Sequence, residues 1–233
     1  MCEITIQVNC PYCQGLKVVK NGKKKSGEQN FLCRSCGKQF QLHYQKAGCK
    51  PEMKALVLHL LVHNSGIRDI ESVLGIHRQT VLKWLNRAAD ERQVKPRQKH
   101  YEELQIDELW TFVKERQRKK RWLIYAYAPE TKEIVAWSWG RRSATTVKNL
   151  YAQIKDLEVN TFCSDDWKAF AKVLPPDKHK IGKTYTKHIE GVNLSLRTRN
   201  RRIVRKTACF SKKQTNHDNH MKLIIYYRNN HTL

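Results

Sequence analysis

Two groups of side chains in this sequence have types and spacings that could do chemistry. The first is a set of four cysteines in two CxxC pairs, Cys10 with Cys13 and Cys33 with Cys36, separated by 19 residues. Four thiolates so arranged are enough to close a tetrahedral site around structural Zn2+. Pro11 and Gly37 border the two knuckles and supply the turn residues that a tight chelate loop needs. A redox pair or chance spacing is the alternative. Cys2, Cys49, Cys163 and Cys209 have no such partners and read as small apolar residues. The second group is acidic: Asp107 inside the strand pattern "ELQIDELWTFV", the adjacent Asp165 and Asp166 at the end of "VNTFCSD", and Glu190 at the head of a basic helical stretch. Acids within apolar strands are costly unless a metal or a hydrogen-bonded cation compensates. Three carboxylates from distant positions suit Mg2+ or Mn2+, and two such ions would activate a water or a DNA 3′-hydroxyl and stabilise the departing oxygen of a phosphodiester. Pairing of these acids with nearby Arg and Lys is the competing explanation. Strand parity does not say whether Asp165 or Asp166 faces the site.

The elements that must position these groups fall into a multidomain plan. Residues 1–48 form a small zinc-binding module, with "KVVKNGKKK" and "EQNFLC" as two short strands turning at Asn21-Gly22. Residues 49–90 are all-helical. Pro51 suits a first helical turn, and Leu56, Leu60 and Leu61 recur at helical spacing. Next, Ile67, Ile70, Val73 and Leu74 make one apolar face, Gly75 permits a sharp turn, and Val81, Leu82 and Leu85 make another. That is the plan of a helix-turn-helix, which puts Arg78, Gln79, Thr80 and Lys83 at the exposed front of the second helix where DNA would be met. A plain helical hairpin is the alternative. His59 and His63, four apart, read as surface or packing residues because no third ligand is in view. "ERQVKPRQKHYEE" reads as a linker, 91–101. Residues 102–233 then run as three strands (the second and third a hairpin about "PETK"), helix, strand, helix, strand and helix, an α/β sheet covered by helices. The last of these is expected to run on from His188 through the basic stretch to about residue 207.

Charge narrows the partner. Lys and Arg number 45 against 21 Asp and Glu, a formal net charge of +24. Self-repulsion of that size points to a polyanion, and double-stranded DNA fits the modules above. A membrane span of about 20 apolar residues is absent from the pattern. "MCEITIQVNC" lacks the cationic and apolar regions of a signal peptide, so a reducing, cytoplasmic setting is expected.

Taken together, the quoted motifs resemble an insertion-sequence transposase of the IS-one family. They are "CPYC…CRSC", "GIRDIESVLGIHRQTVLKWL", "IDELW", "RWLIYAYAPETKEIVAW", "SDDW", "YTKHIEGVNLSLR" and "FSK…HD", in that order along nearly the whole chain. The resemblance implies an RNase H-like catalytic domain with an acidic DDE triad. It implies Mg2+- or Mn2+-dependent hydrolysis and transesterification at the ends of a mobile element. The partners it implies are terminal inverted repeats and target DNA, and the setting a homodimer or larger assembly at the nucleoid of a prokaryote. Carried over by motif, the triad is Asp107, Asp165 (two before Trp167, which selects it over Asp166) and Glu190, with 24 residues between the last two. The family places a basic residue where this chain has Arg197, seven after Glu190 and so on the same helix face, and Asn193 also matches. Gly191 departs from the basic residue usual after the Glu, and leaves the helix start or a DNA contact there open. The basic run from Arg197 through Arg199, Arg201, Arg202, Arg205, Lys206, Lys212 and Lys213 follows Glu190 directly and reads as contact with the DNA being cut, in a domain ending in basic helices. The rivals are a non-catalytic zinc and helix-turn-helix repressor of the element, a decayed copy, and an RNA nuclease, which would leave the DNA-reading front end without a purpose.

Overall fold

The computed structural model describes residues 7–44, 50–113, 120–204 and 209–233. Cys2, Cys49, Arg205 and Lys206 lie outside the described residues.

The N-terminal module is a three-stranded antiparallel sheet of β1 (Val18–Lys23), β2 (Gln29–Cys33) and β3 (Gln39–Gln41). Its hairpin does not turn at Asn21-Gly22. Gly22, at φ 67°, sits instead in an irregularity between Lys20 and Lys23. The chain reverses over Lys24–Glu28, where the Lys24 N–H donates to the Glu28 carbonyl at 3.0 Å and Gly27 takes φ 85°. An Asn-Gly pair tolerates a bulge as readily as a turn, because both need the left-handed backbone that glycine adopts freely. Among the described residues its core is Cys10, Cys33 and Phe40, with Phe31 stacked on Phe40.

Three helices follow: α1 (Pro51–Val62), α2 (Ile67–Leu74) and α3 (Arg78–Glu91). Pro51 begins α1 as expected, but Val57, Leu58, Leu61 and Val62 are its buried face, while Leu56 is 40% exposed. In α2 only Ile70 is buried, and Val73 is 79% exposed. The apolar face drawn through Val73 is therefore wrong. The side of α2 that packs is narrower, and Ile76 in the turn supplies the missing apolar contact. Gly75 ends α2 in the left-handed conformation, and the His77 ring accepts the Gln79 N–H at the start of α3.

The rest builds on one mixed sheet. Its strands are β4 (His100–Phe112), β5 (Lys120–Ala128), β6 (Glu133–Gly140), β7 (Glu158–Ser164) and β8 (His179–Ile181), in the order β6-β5-β4-β7-β8. β4 starts two residues inside the stretch read as a linker, and Tyr101 is fully buried there. The β4–β5–β6 side is antiparallel; β7 and β8 join in parallel. α4 (Ala144–Ile154), capped by Ser143, makes the crossover to β7. α5 (Lys168–Ala171) is shorter than its apolar pattern suggests and precedes Pro175-Pro176. α6 (Lys187–Arg199) stops at Asn200 rather than running through residue 207, because the Asn200 side chain accepts the Arg202 N–H and opens a 3-10 turn at Arg201–Ile203. α7 (Gln214–Asn230) is not a basic surface helix: His217, His220, Met221, Leu223, Ile224, Ile225 and Asn229 are buried.

α4 and α5 cover one face of the sheet. On the other face, Leu109, Leu123, Tyr125 and Ile134 share one continuous core with α6, α7 and all three front helices. α7 is the go-between. Its Asn216 and Asn219 exchange hydrogen bonds with Asn86 of α3, and its Tyr227 takes His59 and His63 edge-on, with His63 Nε2 3.1 Å from the Tyr227 hydroxyl. The two histidines thus pack against an aromatic, as expected.

Candidate metal centres and active site

The four sequence-paired cysteines converge, with all four Sγ atoms within 4.8 Å of one another. Cys10 and Cys36 are 3.6 Å apart and Cys13 and Cys33 are 3.7 Å apart. A tetrahedron with metal–sulfur bonds of about 2.3 Å has an edge of about 3.8 Å, so the donor set fits Zn2+. Each knuckle closes the same way. The residue after the second cysteine (Gln14, Gly37) turns left-handed and donates its N–H to the carbonyl of the first cysteine at 2.9 Å. Burial opposes ionisation of Cys33, but the N–H groups of Cys36 and Ser35 together with the Cys13 and Cys36 thiols lower its pKa, while the Gly15 N–H at Cys13 is outweighed by the other three thiols and burial, which raise that one. A thiolate at neutral pH is what a metal ligand requires.

The acidic site is built where β4 and β7 run side by side. Ile106 pairs with Ser164 in parallel register, which sets Asp107 beside Asp165 at the end of β7. Asp165 Oδ1 accepts the Trp167 N–H at 3.1 Å, and Asp166 is exposed. The structure thus puts Asp165, not Asp166, beside Asp107. One carboxylate oxygen each from Asp107, Glu108 and Asp165 lie within 4.8 Å of one another. This donor set of hard, negatively charged oxygens fits a divalent cation such as Mg2+ or Mn2+.

Asp107 is held from two sides. Its Oδ1 accepts the Glu108 N–H at 2.7 Å, and its Oδ2 accepts the Asn193 side-chain amide at 2.6 Å. Tyr125 in turn donates to Asn193 Oδ1 at 2.8 Å. Burial pushes the Asp107 carboxyl up to about 6; those two donors oppose the rise, and repulsion from Asp165 and Glu190 adds to it. A cation in the pocket would remove this repulsion.

Glu190 lies outside the group of three. It is exposed in the first turn of α6, and reaches Asp107 through its charge. The start of α6 is anchored on β4 by Gln105, whose Oε1 accepts the Ile189 N–H at 2.8 Å. Gly191 leaves that helix start intact, since α6 runs unbroken from Lys187 to Arg199 and a Cβ at 191 would meet nothing within 4 Å. Arg197 is half-buried farther along α6.

Of the residues expected to touch DNA, Arg78, Gln79, Lys83, Arg199 and Arg201 are exposed and Thr80 is half-buried. Two are placed otherwise. Asn193 is 8% exposed and hydrogen-bonded to both Tyr125 and Asp107. Arg202 turns inward, its Nη1 3.0 Å from the His220 ring, because the 3-10 turn after Asn200 rotates it off the exposed side. The sequence alone does not single out Glu108, whose carboxylate the structure brings beside Asp107 and Asp165. Its signal was present in "IDELW", as the acid beside Asp107, but strand alternation argues against neighbours sharing a pocket.

A four-cysteine ribbon ahead of a mixed sheet with carboxylates gathered on its central strand is the build of a DDE transposase. Residues 103–233 match the family described as IS1 transposase, and residues 3–37 match the InsA N-terminal domain, a zinc ribbon. The chain belongs to the IS1 transposase family. It is 40% identical over 114 residues to the insertion element iso-IS1n protein InsB of Shigella dysenteriae, covering 49% of this chain and 86% of that one. It is 36% identical over 125 residues to an IS1 InsB of Escherichia coli K12 (54% and 72%) and to one of Shigella flexneri (54% and 92%). Among solved structures, a simian T-cell lymphotropic virus intasome in complex with a PP2A regulatory subunit aligns over 77% of this chain and 66% of that one at TM-score 0.37 and 11% identity, too distant to bear on the fold. Among the described residues no helix is long and apolar enough to cross a membrane.

Proposed function

We propose that this transposase cuts and joins DNA at the ends of its element through a divalent-metal centre held by Asp107 and Asp165, with Glu190 completing the set. The observation that carries this is the convergence of the Asp107 and Asp165 carboxylates on neighbouring parallel strands, with the Asp107 carboxyl pushed up to about 6 by burial and then by the acids facing it. Such a pocket is unfavourable unless positive charge occupies it. Glu190, in the first turn of α6, adds its charge to the repulsion felt by Asp107, which supports its place in the set. Strand order β6-β5-β4-β7-β8, three antiparallel then two parallel, supports the RNase H-like reading of the catalytic part.

In this reading Asp107 and Asp165 are the metal ligands and Asn193, steadied by Tyr125, fixes the rotamer of Asp107. Bound Mg2+ or Mn2+ would lower the pKa of an attacking water and neutralise charge on the departing oxygen. A water oxygen bonds to phosphorus as the 3′ P–O bond breaks, freeing a 3′-hydroxyl. That hydroxyl then attacks a target phosphodiester: its oxygen bonds to phosphorus as the target's own 3′ P–O bond breaks, the attacking hydroxyl gives up its proton, and the departing target 3′-oxygen takes one up. No covalent enzyme intermediate is involved. Arg197, on α6 with Glu190, would hold a phosphate of the DNA end, joined by Arg199 and Arg201.

The working parts are a Zn2+ module (1–48), a helix-turn-helix (49–90), a connecting stretch (91–101) and the catalytic part (102–233). The exposed Arg78, Gln79 and Lys83, with Thr80, would read the terminal inverted repeats. Two ends must meet, so a homodimer or larger assembly on DNA at a bacterial nucleoid is the working state. The test is a terminal-repeat duplex with Mg2+ and purified protein. Metal-dependent nicking and joining by the parent chain, lost in Asp165→Asn with repeat binding kept, is the expected result. Specific binding by the parent without cleavage would make the chain a repressor.

A further inference from the structure

Glu108 follows Asp107 on β4, so regular alternation would send it to the opposite face. Instead a Glu108 carboxylate oxygen comes within 4.8 Å of the ligand oxygens of both Asp107 and Asp165. The side chain is only 8% exposed, and its two oxygens are treated differently. Oε1 accepts from Arg142 twice, from Nε at 2.7 Å and from Nη2 at 2.6 Å. Oε2 is buried and has no hydrogen-bond partner. A buried carboxylate oxygen left unmatched is costly, and persists where something else satisfies it.

Arg142 is itself clamped. Its guanidinium lies over the Trp167 ring at 4.4 Å and the Trp122 ring at 5.4 Å. Trp167 is two residues past Asp165, and Trp122 stands on β5, the strand paired with β4. The cation is therefore fixed by the same two neighbours of β4 that shape the pocket. It binds one oxygen of Glu108 and leaves the other bare. A simple ion pair would let Arg142 engage both oxygens through its fork, the stronger arrangement.

We propose that Glu108 is a further carboxylate ligand of the metal centre, its bare oxygen presented to a divalent cation and its orientation set by Arg142, so that the pocket supplies four acids, not three. Arg142 is a positioning residue, acting only through Glu108. The inference rests on the metal-centre reading above and extends its ligand set.

Titration of the full chain with Mn2+ alone, read by electron paramagnetic resonance and by the Mn2+-induced rise in Tm, tests it without DNA. The parent binds and Asp107→Asn does not. Glu108→Gln keeps its zinc and its far-ultraviolet dichroism but binds Mn2+ at least about tenfold more weakly. Unchanged Mn2+ affinity in Glu108→Gln overturns the assignment and leaves the Asp107–Asp165 centre standing. Equal binding by the parent and Asp107→Asn removes that centre, and Glu108 with it. In the parent chain, which avoids any question of a variant's folding, Mn2+ should slow carbodiimide labelling of Glu108 as well as of Asp107. Labelling of Glu108 that Mn2+ leaves unchanged while Asp107 is protected also overturns the proposal.

Discussion

The ribbon and the sheet domain each gather side chains suited to a metal cation, yet they rest on different physics. Among the described residues, the ribbon buries just three apolar side chains. The sheet is covered on both faces, with Asp107 and Glu108 on its central strand and Asp165 just past the end of the next. One region needs its metal to fold. Under the proposed function, the other folds first and suffers repulsion among its acids until a cation binds. Zinc removal should therefore unfold one and spare the other.

The largest expected effect follows from that contrast. Zinc-finger-like sites draw about 10–16 kcal/mol of apparent folding free energy from the ion. Stripping zinc, or making Cys33→Ser, should melt residues 7–44 only. All six tryptophans lie between residues 84 and 167, so tryptophan fluorescence should show an unchanged thermal transition while ribbon amides lose protection from exchange. A tryptophan transition that collapses with zinc loss would mean the two regions fold as one.

A smaller effect tests the sheet side. Folding raises the Asp107 carboxyl to about 6 from an ordinary 3.8. Its contribution to metal-free stability is therefore full below about pH 4 and disappears as pH rises through about 6. Asp107→Asn should stabilise the metal-free protein at pH 7 by at most about 3 kcal/mol, measured by denaturant unfolding, while abolishing Mn2+ binding. Mn2+ affinity of the parent should fall as pH drops through about 6, where protons compete.

The smallest concerns the core shared by the helices and the sheet. His220 is buried, with one ring nitrogen 3.0 Å from the Leu61 carbonyl and Arg202 Nη1 against the ring. Burial first, then the charges of Arg202 and His217, hold it well below the usual histidine range. It is neutral in the fold but gains a proton in the unfolded chain, so stability should decline as pH falls below about 6.5. His220→Ala should cost about 2 kcal/mol by leaving the Leu61 carbonyl and Arg202 unmatched, and should flatten that acid limb.

What could be read from the sequence follows the same division. The cysteine site was legible because its ligands are local pairs and their spacing alone restricts the geometry. The strand hairpin about "PETK" was legible for a similar reason, as a local pattern. The acid pocket was not legible from spacing: nothing local distinguishes Asp165 from Asp166, and the parallel register of β4 and β7 is a long-range fact. Asn193 and Arg202 look like surface polar residues on a basic stretch, and only tertiary packing turns them inward. Val73 and Leu56 fit an apolar period but sit outside the contact. The buried character of α7 was hidden because histidines and asparagines make up much of its packed face.

α7 touches α1 and α3 on one side and underlies the sheet on the other, within a single core. Under the proposed function, the part that recognises a repeat and the part that breaks the strand cannot slide past each other, and the molecule measures as a caliper with fixed jaws does. Slipping one extra base pair between the recognised bases and the element's tip would carry the scissile phosphate about 3.4 Å along and roughly a tenth of a turn around the duplex, away from the waiting carboxylates.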